Sequence, residues 1–165
     1  MQRLILIGMP GAGKTYWAQI WGQASGTPVL DLDAEIERAT GTSIPDLFAA
    51  EGEAGFRNIE HQVLQQVLSQ TGTFILATGG GTPCFENNLP LLLQSGNVVY
   101  LDVPVPELVQ RIRAQKQQRP LLAQLSDTAL TARLEQLLTE REFFYRQAHQ
   151  TLPAEALSAA TFALL

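Results

Sequence analysis

A three-layer α/β fold with a mainly parallel sheet is predicted by three features of the sequence. Short, continuously apolar runs recur at Leu4–Ile7, Phe74–Ala77 and Val98–Leu101, as strands buried on both faces of a parallel sheet require. Segments with apolar residues spaced i, i+3, i+4, i+7 alternate with them, the pattern of helices laid on such a sheet. Glycine clusters at 8–13 and 79–81 stand where strands give way to other structure.

In chain order, Leu4–Ile7 reads as a central strand, and Trp17, Ile20, Trp21 and Ala24 as the buried stripe of the helix after it. Val29-Leu30 leads into Asp31-Leu32-Asp33 as a second short strand. Gly41-Thr42-Ser43 precedes a short helix carrying Ile44, Leu47 and Phe48, with Ser43 and Asp46 resembling a capping box. Phe56, Ile59, Val63 and Val67 mark the next helix, and Phe74–Ala77 a strand that breaks at Gly79-Gly80-Gly81. Val98–Leu101 is a further buried strand, followed by a helix through Val105, Leu108, Val109 and Ile112. The polar run Gln115–Pro120 is expected to be a mobile loop. A long helix from about Asp127 to Ala148 closes the series, with Leu134, Leu137, Leu138 and Tyr145 on one stripe.

The 165 residues fit one domain spanning 1–165, with no internal repeat or linker. A composition of 45% hydrophobic and 16% charged residues excludes disorder and coiled coil. The net charge of −5 offers no basic face, so no nucleic-acid partner is expected. Cys84 is the single cysteine, which rules out an intrachain disulfide and fits a reducing compartment. The apolar run near the amino terminus is too brief for a signal peptide and no stretch reaches membrane-spanning length, so a cytoplasmic protein without membrane contact is expected. Nine of the eleven basic residues are arginine, suited to gripping carboxylates and phosphates in bidentate fashion.

Gly8-Met9-Pro10-Gly11-Ala12-Gly13-Lys14-Thr15 matches the phosphate-binding pattern G-x-x-x-x-G-K-S/T, after a strand and at the opening of a helix. Glycines there let backbone N–H groups converge on phosphate oxygens, the helix terminus adds positive potential, Lys14 reaches the β- and γ-phosphates, and Thr15 can ligate magnesium. A GTPase would also carry an Asn-Lys-x-Asp base-recognition sequence, and with lysine only at 14 and 116 none exists. Two apolar strands end in a carboxylate, at Asp31 and at Asp102, so the pattern leaves the magnesium ligand open between them.

Asp31 and Asp33, in extended geometry, would both project toward the carboxyl edge of the sheet, where open α/β sheets bind ligands. One would serve a metal-bound water and the other a substrate hydroxyl; alternatively one of them caps the following helix. Arg141 falls at i+7 from Leu134 and i+3 from Leu138, on the inward stripe. There it needs either an anionic ligand or an ion pair with another element. Arg57 precedes Glu60 by three positions and either pairs with it or is oriented by it toward a ligand. His61, His149 and Cys84 lack a nucleophile–base pattern and read as structural.

Taken in succession, these residues resemble the shikimate kinase family from the phosphate loop through Tyr145. The marks are Gly8 to Thr15, Asp31-Leu32-Asp33, Ile36-Glu37, Gly41–Ile44, Phe48, Gly52-Glu53, Phe56-Arg57, Glu60, Gly79-Gly80-Gly81 and Arg119-Pro120-Leu121. The resemblance implies a nucleoside-monophosphate-kinase-like fold: a five-stranded parallel sheet flanked by helices, a substrate-binding segment over about 31–60 and a lid over about 113–125. It implies transfer of the γ-phosphate of ATP to a shikimate hydroxyl, with Mg2+ as cofactor, ATP and shikimate as ligands, and a monomeric chain. Lys14, Asp33 and Arg119 would be catalytic. Gly11, Ala12, Gly13, Lys14, Thr15, Tyr16, Arg111 and Arg119 would bind ATP, with Arg111 along the adenine. Asp33, Arg57, Gly79, Gly80, Gly81 and Arg141 would bind substrate, the two arginines clasping its carboxylate, and Thr15 and Asp31 would serve the metal. Glu140 and Glu142 beside Arg141 depart from the family, which shows a basic residue before this arginine and a proline soon after. A kinase for another hydroxy acid such as gluconate, or a nucleotide-binding module without turnover, are the alternatives.

Overall fold

All five strands run parallel, because each is joined to the next through a helical crossover. The computed structural model describes residues 3–115, 122 and 124–165, with the side chains of 162 and 164 set aside. The strands are β1 (Leu4–Ile7), β2 (Val29–Asp31), β3 (Ile75–Ala77), β4 (Asn97–Asp102) and β5 (Gln150–Pro153), in the sheet order β2-β3-β1-β4-β5. Leu6 lies opposite Ala77 on one side and Val99 on the other. The loops after β1, β2 and β3 therefore leave the sheet at one edge, which fixes where a ligand can lie.

The helices are α1 (Lys14–Ser25), α2 (Leu32–Thr40), α3 (Ile44–Ser69), α4 (Asn88–Ser95), α5 (Val105–Ala114) and α6 (Asp127–Tyr145). Ile5, Leu6, Ile7, Leu76, Val98 and Val99 are all but inaccessible in the sheet, and Trp21, Ile36, Leu64, Leu108 and Leu134 cover them from the helices. Each such side chain contributes about 1.5–3 kcal/mol by leaving water. Among the described residues no helix is long and apolar enough to cross a membrane.

Local chemistry explains the element ends. Ser43 caps α3 by accepting the Asp46 amide and donating to its carboxylate, as the sequence leads one to expect. Inside α3, Gly52 takes φ 67° and ψ −177°, a conformation that breaks the helix into the two segments read from the sequence. The kink lets the rings of Phe48 and Phe56 stack with centroids 4.2 Å apart.

Several expectations change. Asp31 and Asp33 do not share an extended strand: Asp31 ends β2, and α2 begins at once with Leu32. The helix cap is Asp31, whose carboxylate accepts the amides of Asp33 and Ala34. The long carboxyl-terminal helix stops at Tyr145, three residues short, where the chain turns toward β5. Neither α4 nor β5 is foreseen, although a sheet of five strands is. An edge strand with every residue partly or fully exposed carries no apolar run to reveal it.

Candidate active site

The phosphate loop joins β1 to α1 and closes on itself. Gly13 is the residue before α1, at φ 89°, a left-handed conformation that side chains other than glycine adopt at a cost. Lys14 is buried, and its Nζ donates to the carbonyls of Gly8 at 2.8 Å and Met9 at 3.0 Å. The loop thus holds the ammonium where phosphate oxygens would converge with the amide groups of the helix terminus. Arg111, on α5, donates to the carbonyl of Ala12 at 2.9 Å and pairs with Glu107 at 2.5 Å, so α5 brings it against the loop.

A cavity of about 400 Å³ opens beside this loop, lined by Gly11, Gly13, Lys14, Thr15, Tyr16, Asp31, Asp33, Gly79 and Gly80. It joins the phosphate loop to both aspartates and to the glycine segment after β3. Thr78, Gln19 and Gln115 line it too and were not foreseen. The Thr78 hydroxyl donates to the carbonyl of Leu6 at 2.9 Å, tying the glycine segment to the phosphate-loop strand.

Thr15 Oγ1 donates to Asp31 Oδ2 at 2.5 Å, whereas Asp102 accepts from the Tyr100 hydroxyl at 3.1 Å. A hydroxyl and one carboxylate are hard oxygen donors on a polar cavity wall. They fit magnesium, which keeps several waters and binds through one or two carboxylates plus substrate phosphates. No cluster of three or more potential metal-binding His, Cys, Asp or Glu side chains occurs among the described residues, so the structure offers no separate metal cage.

A second cavity of about 300 Å³ adjoins the glycine segment, lined by Glu53, Cys84, Phe85, Arg133, Leu137, Glu140, Arg141 and Phe144. Gly80 stands between the two: it lines the first, and a Cβ there would meet Arg141 Nη1 at 3.1 Å. Arg141 makes no ion pair among the described residues, although Glu53 and Glu140 line the same cavity. Tyr145, one helical turn on, donates to the Gly80 carbonyl at 2.6 Å. Burial raises the Tyr145 phenol well above its ordinary value, opposed by Arg141. Burial likewise pushes the Cys84 thiol up to about 11, against the opposing pull of Arg141 and Arg57, which favours the protonated thiol at neutral pH.

Arg57 is 7% exposed and pairs with Glu60, Nη1 to Oε2 at 2.8 Å, and with Glu53 at 3.5 Å. The guanidinium also lies over the Phe85 ring, 4.3 Å from its centroid. Its Nε is buried and has no hydrogen-bond partner. Of the two sequence alternatives for this residue, the ion pair with Glu60 is formed, and one donor is left over. Gly81 packs against the guanidinium so closely that a Cβ would sit 2.4 Å from Nη2.

Of the residues singled out in the sequence, Gly11, Gly13, Lys14, Thr15, Tyr16, Asp31, Asp33, Gly79 and Gly80 converge on one cavity, while Ala12 is buried. Arg57, Gly81 and Arg141 stand behind and beside it. Arg119, Lys116 and most of the segment from 113 to 125 lie outside the described residues.

The family model described as shikimate kinase matches residues 10–163. A shikimate kinase of Nitrosomonas europaea is 42% identical over 160 residues, covering 96% of this chain and 74% of the relative. One of Synechococcus elongatus is 43% identical over 153 residues, covering 93% and 77%. Among solved structures, shikimate kinase from Acinetobacter baumannii in complex with shikimate superposes with a TM-score of 0.86 at 39% identity, covering 99% of this chain and 89% of that one. The enzyme from Bacteroides thetaiotaomicron gives 0.84 at 33% identity, covering 93% and 86%. The match extends over nearly the whole chain, and the chain belongs to the shikimate kinase family.

Proposed function

We propose that the protein transfers the γ-phosphoryl group of ATP to the 3-hydroxyl of shikimate, giving shikimate 3-phosphate and ADP. The observation that carries the acceptor class is the pair of arginines near the glycine segment: Arg57 keeps a buried Nε without a partner, and Arg141 lines the second cavity without an ion pair among the described residues. Two such cations suit a carboxylate ligand, since guanidinium groups bind carboxylates through paired hydrogen bonds.

In this reading the phosphate loop and Lys14 hold the β- and γ-phosphates, and Tyr16 and Arg111 flank the nucleotide. Thr15 and Asp31 hold magnesium, which when bound neutralises charge on the phosphate oxygens. Asp33 faces the same cavity from the first turn of α2 and accepts the hydrogen bond of the attacking hydroxyl. The bond from the γ-phosphorus to the β-bridging oxygen breaks as the bond to the hydroxyl oxygen forms, and the hydroxyl proton passes to Asp33. Gly79, Gly80 and Gly81 allow the substrate ring to approach the backbone. Arg119 closes with a lid over about 113–125 and neutralises the transferring group, while residues 31–60 form the acceptor-binding segment of a single domain working as a monomer. Positioning and charge neutralisation supply most of the catalysis.

The test is an ADP-release assay with Mg-ATP against a panel of hydroxy acids. Turnover should depend on shikimate; equal rates with gluconate would overturn the substrate assignment, and no turnover with any acceptor would overturn the enzymatic reading.

A further inference from the structure

Behind Arg57 a chain of polar side chains runs away from the site. Glu60 is 1% exposed, and Thr82 and Asn88 are fully buried. Glu60 Oε2 accepts from Arg57, and its Oε1 accepts from the Thr82 hydroxyl at 2.7 Å. The Thr82 carbonyl accepts from Asn88 Nδ2 at 2.9 Å, and Asn88 Oδ1 lies 2.6 Å from His61 Nδ1.

The direction of each bond follows from this order. Asn88 must present its NH₂ to a carbonyl, which can only accept, so its oxygen faces His61 and the hydrogen between them sits on His61 Nδ1. The backbone bends sharply to deliver Asn88: Glu86 and Asn87, at φ 51° and 55°, are the non-glycine residues with positive φ among those described. Two consecutive residues in this region mark a turn held by its surroundings.

A carboxylate this deeply buried keeps its charge only if its oxygens are satisfied. Arg57 satisfies one and Thr82 the other, so Thr82 decides which way Glu60 points and hence where the Arg57 guanidinium lies. We infer that Thr82, held by Asn88 and His61, is a positioning residue that acts through Glu60 to fix Arg57 for the acceptor carboxylate. This rests on the acceptor reading above, yet the orientation of Arg57 can be measured without any acceptor.

The measurement is the ¹H–¹⁵N correlation of the Arg57 Nε–Hε group, identified by its loss in Arg57→Lys, alongside steady-state kinetics. In Thr82→Val, which keeps the shape and removes the donor, the Arg57 signal should shift and broaden. The acceptor KM should rise about tenfold or more, the scale of a lost hydrogen bond to a charged group, with the ATP KM and kcat within about twofold. Thr82→Ser should restore both signal and KM. Should Thr82→Val not fold, His61→Leu, altered at a half-buried side chain, should move the same two quantities in the same direction by a smaller factor. An unchanged Arg57 signal, or a loss shared equally by kcat and both KM values, overturns the proposal. Absence of turnover with shikimate in the wild type overturns the function reading instead, and the Arg57 signal still decides the role of Thr82.

Discussion

The hydroxyl of Thr15, in the first turn of α1, donates to the carboxylate of Asp31 at the end of β2 across 2.5 Å. This contact joins the phosphate loop to the second strand and separates the two aspartates that sequence pattern treats alike. Asp31→Asn should raise the magnesium concentration for half-maximal rate about tenfold or more, the scale for altered metal-holding groups. Asparagine caps helices as well as aspartate, so α2 should be undisturbed. Asp102→Asn should leave the requirement within about twofold. A magnesium titration of both variants checks this, and the reverse pattern would move the metal to β4.

Gly81→Ala should damage acceptor binding more than ATP binding. The new methyl would stand 2.4 Å from Nη2 and 2.8 Å from Cζ of Arg57, and the guanidinium, held by Glu60, must move to admit it. We expect the acceptor KM to rise about tenfold or more while the ATP KM stays within about twofold. Equal changes in both KM values would show instead a general disturbance of the sheet edge.

Arg119→Ala should lower kcat by about 10²-fold or more, as for other lost donors to developing charge, with a much smaller change in shikimate affinity. Single-turnover phosphoryl transfer measures the chemical step directly. A rate within about twofold of wild type would remove Arg119 from the catalytic set.

Cys84 should resist alkylation. With its thiol raised from 9.0 to about 11, the thiolate fraction at pH 8 falls by about 10²-fold, and the rate with iodoacetamide should fall with it, relative to the chain unfolded in urea. The folded state holds this proton up to about pH 11 while the unfolded chain releases it near 9.0. The associated stability is therefore complete below pH 9 and is lost as pH rises toward 11. Rapid alkylation of the folded protein at pH 8 would contradict the burial described.

What could be read from the sequence follows the range over which each feature is encoded. The phosphate loop is eight consecutive residues whose purpose is local, and β1 and β4 announce themselves as unbroken apolar runs. Asp33 reaches the cavity from the first turn of α2 and not from an extended strand, and the change from strand to helix after Asp31 leaves no mark in so short a stretch. The role of Thr82 was invisible because its partners, Glu60, Asn88 and His61, come from α3 and α4 and meet only in the folded chain. Helix α4 escaped notice because it is short and apolar on most sides, so its sequence shows no periodic face.

The break at Gly52 has a geometric meaning for the acceptor side of the molecule. In an unbroken α-helix, residues eight apart are separated by about 12 Å along the axis, yet Phe48 and Phe56 stack at 4.2 Å. One glycine dihedral thus folds a rod into a knee, with the aromatic pair as its inner padding and Arg57 on the limb just beyond. The limb carrying Arg57 is moored through Glu60 to the residue after the glycine run, while the other limb rests on α2. Phe48 on the first limb therefore bears on Phe56, whose ring centroid lies 5.2 Å from the Arg57 guanidinium carbon, so the angle of the knee is felt at Arg57.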